Sequence, residues 1–82
     1  MGLVDKPIAW MDINRKSYYM EQISDEYLLN IIKFVSKGGG YLNFLTEKKI
    51  RNLFREADIR GLKHECSLSK AILLFNHLTK RR

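Results

Sequence analysis

The 82-residue sequence predicts an α+β fold, mainly α, in which a short N-terminal β-hairpin is followed by three helices. Three observations carry this expectation. Two β-prone, aromatic runs flank a polar turn near the amino end; three later segments repeat apolar residues at helical spacing; and glycine stands where the first two of those segments must stop.

The hairpin is expected over about residues 8–20. Ile8-Ala9-Trp10-Met11 and Ser17-Tyr18-Tyr19-Met20 are its strands, and Asp12 to Lys16 its turn, in which Asn14 is the residue best able to take positive φ. Trp10 is expected to anchor the hairpin in the core. A helix follows over 25–37, capped by Ser24 or Asp25, with Leu28, Ile31, Ile32 and Val35 on one face and Tyr27 and Phe34 widening it. Gly38-Gly39-Gly40 ends it and is expected to form a cap and then a flexible joint.

The second helix, 46–60, starts at a Thr46 cap and buries Ile50, Leu53, Phe54 and Ala57. Gly61 suits the left-handed position after its end, with Leu62 folding back near Ala57. The third, 68–79, starts from Ser67 or Ser69 and places Leu68, Ala71, Ile72, Phe75 and Leu78 on one face. No repeat and no second domain is seen, so residues 1–82 are read as a single small domain. A chain of this length buries only about 60–65% of the surface its unfolded form exposes, which argues against a large substrate cavity.

The net charge of +6 lies entirely in one half. Residues 1–40 balance five basic side chains with five acidic ones, whereas residues 41–82 carry ten against four. An acidic partner would therefore meet the second half. By the helix period, Lys48, Arg51 and Arg55 fall within about 60° of one another, opposite the apolar stripe. Lys63, Lys70 and the Lys80-Arg81-Arg82 tail extend this candidate basic surface, and Tyr41 or Phe44 would supply a stacking ring for a base. A second candidate surface is apolar and aromatic. Leu73 points away from the stripe of its helix, and Tyr18 and Tyr19 cannot both face inward on one regular strand, so these residues with Tyr41 form a candidate surface for a protein partner or a homodimer.

Residues with catalytic or metal-binding chemistry are sparse. His64, Cys66 and His77 are the soft ligands, and His64-x-Cys66 is too tight for the close ligand pair of a zinc site. The carboxylates Asp25 and Glu26, or Glu56 and Asp58, are accounted for by helix-start preference and solvation. The glycine triplet lacks the Gly-Lys-Ser/Thr ending of a phosphate loop. No catalytic residue, cofactor or metal is expected. One cysteine cannot form an intramolecular disulfide, the amino end lacks the apolar core of a leader, and no run of about 18 apolar residues is present to cross a bilayer. A cytoplasmic location, with no membrane partner, follows as the expectation.

A resemblance adds to this reading. Trp10 with Asp12 before the turn, Tyr18 and Met20 after it, Ile23, Asp25-x-Tyr27-Leu28-x-Asn30-x-Ile32 and Leu53-x-x-Glu56-Ala57-x-x-Arg60-Gly61-Leu62 resemble a group of small phage- and prophage-encoded proteins with no assigned activity. The chain departs from that group at Ile13-Asn14-Arg15, where an Asp-Gly turn is common, and at Tyr27, where a His is common. The resemblance implies a non-enzymatic phage accessory protein in a bacterial host cytoplasm, and no catalytic residues. The leading expectation is therefore a protein that binds and modulates a host or competitor protein. A DNA- or RNA-binding protein using the basic second half is the alternative, and a self-associating structural component the third.

Overall fold

The computed structural model describes residues 8–39 and 45–80. Strand β1 (Trp10–Met11) pairs antiparallel with β2 (Ser17–Tyr18), with Trp10 opposite Tyr18 and Met11 opposite Ser17. A single 3-10 turn, Met20–Gln22, leads into α1 (Asp25–Ser36), followed by α2 (Glu47–Ile59) and α3 (Leu68–Lys80). The expected architecture of a hairpin and three helices is what forms. The strands are shorter than the β-prone runs: Met20 has left the ladder, and the Tyr19 amide donates to Gln22 Oε1 at 2.8 Å instead of to a strand.

Each helix starts where a side-chain oxygen accepts from a first-turn amide. Ser24 Oγ takes the Tyr27 N–H at 3.1 Å, Thr46 Oγ1 the Lys49 N–H at 3.2 Å, and Ser67 Oγ the Lys70 N–H at 3.4 Å. Glycine ends the first two. After α1, the amides of Gly38 and Gly39 return to the carbonyls of Val35 and Phe34, and Gly38 has φ of 92°. After α2, Gly61 and Leu62 return to Asp58 and Ala57, and Gly61 has φ of 72°. Both are Schellman closures. At the first of them Gly38 and Gly39 form the expected cap, and Gly40, where the joint is expected to follow, lies outside the described residues.

The core is made by the predicted stripes. Leu28, Ile31, Ile32 and Val35 of α1 meet Ile50, Leu53, Phe54 and Ala57 of α2, all buried, and Trp10, Ile23, Leu45 and Ala71 complete the cluster. Helix α3 is the most peripheral of the three: Ala71 is buried, while Leu68, Ile72, Phe75 and Leu78 are only half-buried. Phe34 departs from its expected place. It is 51% exposed, because its position lies about 110° from the centre of the α1 stripe by the helix period.

One polar hub joins the elements. Arg60, at the end of α2, donates to the carbonyls of Ile23 (2.8 Å) and Met20 (3.1 Å), to Glu56 Oε2 (2.8 Å) and to Asp25 Oδ1 (3.0 Å). The carboxylate of Glu56, then that of Asp25, holds the guanidinium above its ordinary pKa. The hub fixes the 3-10 turn and the start of α1 to α2, and thereby fixes where the hairpin leaves the helical layer.

Candidate functional site

The hairpin tip is built on Asp12. Its Oδ1 accepts the backbone amides of Asn14 and Lys16, both at 2.9 Å, and its Oδ2 accepts the Tyr18 hydroxyl at 3.2 Å. The Lys16 amide in particular holds this carboxyl below its ordinary range. The Arg15 N–H donates to the Asp12 carbonyl at 2.9 Å, closing a turn with Ile13 and Asn14 at its centre. The positive φ expected at Asn14 falls instead on Arg15, at 65°. The reason is the length of the loop: a three-residue connection needs its left-handed residue last, before the strand resumes.

This tip projects Ile13, which is 94% exposed. Behind it an open groove of about 1060 Å³ runs between the hairpin and α1, lined by Trp10, Ile13, Arg15, Tyr27, Asn30, Ile31 and Phe34 among others. The Phe34 ring is held although exposed. Trp10 meets it edge-on at 6.0 Å with the planes at 89°, and a methyl group added at Gly39 would lie 2.5 Å from its ring atoms, so the ring sits directly on the glycine backbone. On the other wall Tyr18 packs edge-on against Tyr27 at 5.4 Å, and the Lys16 ammonium lies 5.4 Å from the Tyr18 ring centre.

The sequence-predicted apolar surface is not gathered in one place. Tyr18 is half-buried against Tyr27, Tyr19 is 42% exposed beyond β2, and Leu73 is 68% exposed on α3. Tyr41 lies outside the described residues. Ile13 and Phe34 were not singled out by the sequence reading as surface residues. A helical wheel centred on the α1 stripe displaces Phe34, and a β-branched residue within a polar turn marks Ile13.

The predicted basic surface is divided. Lys48, Arg51 and Arg55 are exposed on α2, but Arg51 pairs with Glu47 at 3.0 Å. Arg55 borders a cavity of about 290 Å³ against Tyr19 and Met20, and another of about 420 Å³ beside Phe54, Asp58, His64 and Cys66. Lys63 is exposed in the connection to α3, Lys70 in its first turn and Lys80 at its end. Arg81, Arg82 and Phe44 lie outside the described residues. Two cations serve the fold: Arg60, the cap of α2, forms the hub, and Lys49 Nζ within α2 donates to the Ile8 carbonyl at 2.9 Å.

His64 and Cys66 do meet, through the backbone. The Cys66 amide donates to His64 Nδ1 at 3.2 Å, while the imidazole packs edge-on against Phe54 at 5.5 Å. That amide bond occupies one ring nitrogen as an acceptor, and the contact has no nucleophile-and-base geometry. No group of three or more His, Cys, Asp or Glu side chains that would hold a metal ion occurs among the described residues, and no helix among them is long and apolar enough to cross a membrane.

No protein-family model, no curated protein and no solved structure matches this chain.

Proposed function

We propose that the chain is a small non-enzymatic accessory protein that binds another protein and modulates it, with the hairpin–α1 face as the contact surface. The observation that carries this reading is the pairing of a 94%-exposed Ile13 with an exposed Phe34 ring fixed between Trp10 and Gly39, on the two sides of one groove. Large apolar side chains fixed before binding lose little entropy on docking and are typical interface anchors. The resemblance to small phage- and prophage-encoded proteins supports a host or competitor protein in a bacterial cytoplasm as the target.

The test is a nuclease-treated pull-down from bacterial lysate with the whole chain and with an Ile13→Ser, Phe34→Ala double variant. A protein retained by the first and lost by the second is the expected result. Retention of the same proteins by both would remove this face from the reading. The nucleic-acid alternative rests on Lys48 and Arg55, exposed cations without an ion-pair partner among the described residues. It predicts retention that is abolished by nuclease and falls steeply with salt.

A further inference from the structure

We infer that the groove between the hairpin tip and α1 takes an acidic amphipathic segment of the partner protein, which seats an apolar side chain between Ile13 and Phe34 and places a carboxylate on Arg15; this rests on the docking face proposed above. Two charged residues line the groove, and they are in opposite states. Asp12 already accepts three hydrogen bonds from its own hairpin, two from amides and one from Tyr18. Arg15 is exposed and has no ion-pair partner among the described residues. The charge offered to an occupant is therefore the guanidinium, whose planar fork suits a carboxylate.

The backbone at Arg15 points the same way. Its φ of 65° is the left-handed geometry that favours glycine or asparagine, yet a long cationic side chain stands there, at the groove mouth. An outlier of this kind is a reason to look for function at the residue. Asp12 and Arg15, the two charged residues of the lining, balance in formal charge, so the preference for a carboxylate rests on Arg15 being the one of the two left without a partner among the described residues. The apolar floor of Trp10, Ile31 and Phe34 supplies the non-polar half of the recognition.

A random library of displayed 12-residue peptides, selected on the immobilised whole chain, tests this. Selected peptides are expected to combine large apolar residues with Asp or Glu. Measured by fluorescence anisotropy, their Kd should rise at least tenfold with Ile13→Ser and with Arg15→Glu, and by a smaller factor with Arg15→Lys, which keeps the charge but not the planar fork. Exchanging the peptide's acidic residue for lysine should restore binding to Arg15→Glu. Both positions are exposed turn residues, and circular dichroism of each variant confirms that the helices are intact. Selected peptides without acidic residues, or indifferent to both substitutions, overturn the inference, as does a selection that enriches nothing. Peptides that bind elsewhere, together with a pull-down insensitive to the double variant, also discard the docking face; a pull-down lost in that variant keeps the face and discards only the acidic occupant. A mass that rises with concentration in sedimentation and falls back with Ile13→Ser would place a second copy of the chain in the groove and equally overturn the acidic segment.

Discussion

Arg60 Nη1 donates to the carbonyl of Ile23 at 2.8 Å, joining residues 37 positions apart in sequence. Ile23 closes the 3-10 turn that separates the hairpin from α1, and its own side chain is buried. The end of α2 therefore sets the height at which the hairpin stands over the groove wall. A hairpin of two residues per strand needs such a support, since isolated two-stranded ribbons are marginal in water.

Replacing Arg60 by Met should accordingly destabilise the fold by about 2–4 kcal/mol, because two backbone carbonyls and the Glu56 carboxylate lose a charged donor. Arg60→Lys should recover less than half of this, since one ammonium cannot reproduce the planar fork that reaches Met20, Ile23 and Glu56 together. Because the guanidinium is held above its ordinary pKa, the hub's stabilisation is fully present below the unfolded value and is lost only as pH rises through the folded one, beyond any working pH. Urea unfolding of the three proteins measures the ranking. Equal midpoints for Arg60→Lys and the parent protein would show that charge alone suffices.

The glycine closures make a graded set. Gly61 has φ of 72° with open space around it, so Gly61→Ala should cost about 1 kcal/mol from backbone geometry. Gly38 has φ of 92° and, in addition, a methyl group there would sit 2.9 Å from Leu78 Cδ1, so Gly38→Ala should cost at least about twice as much. Gly39→Ala meets the Phe34 ring at 2.5 Å, and the expected outcome is displacement of that ring with a change in Trp10 emission. Stability and fluorescence of the three variants separate backbone strain from contact.

What the sequence showed and what it hid divide along a physical line. Periodic burial is a local property, so Leu28, Ile31, Ile32 and Val35, and likewise Ile50, Leu53, Phe54 and Ala57, were legible as core positions. The Ser24 and Thr46 caps and the Gly61–Leu62 closure were legible for the same reason: each acts within five residues. The hub was not, because Arg60 reads as one more surface cation until α2 is docked on the 3-10 turn. The groove was hidden for the related reason that Ile13 and Phe34 are 21 positions apart, and only the height of the hairpin brings them to one cavity. The basic stripe keeps Lys48, Arg51 and Arg55 exposed, with Arg51 paired to Glu47 at the i, i+4 spacing of a helix.

Acid should act on the hairpin tip through Asp12. Asp12 has its carboxyl lowered, first by the Lys16 amide, so the carboxylate supports the turn above its unfolded pKa of 3.8 and the support is lost as pH falls below that value through the folded one. The amide resonances of Asn14 and Lys16 should move together in that acid range. Asp12→Asn should abolish the shared inflection. It should also weaken docking at neutral pH, because an amide oxygen is a poorer acceptor for two backbone N–H groups than a carboxylate. An unchanged inflection in the variant would assign the titration to another group.

At Arg15 the proposed recognition and stability should pull in opposite directions. A left-handed backbone disfavours any residue with a Cβ by about 1–2 kcal/mol, and glycine recovers most of that less its own entropy cost, so Arg15→Gly should stabilise the protein by about 1 kcal/mol. Arg15→Asn should lie between the two, as asparagine tolerates the same geometry. Both substitutions remove the cation from the groove mouth, so the same variants that raise the urea midpoint should lose affinity for an acidic peptide while retaining its apolar contact with Ile13 and Phe34. A purely structural turn residue would move the first readout and leave the second alone. Opposite movement of stability and affinity in one substitution is thus the outcome that distinguishes a residue kept for binding from one that merely completes a hairpin.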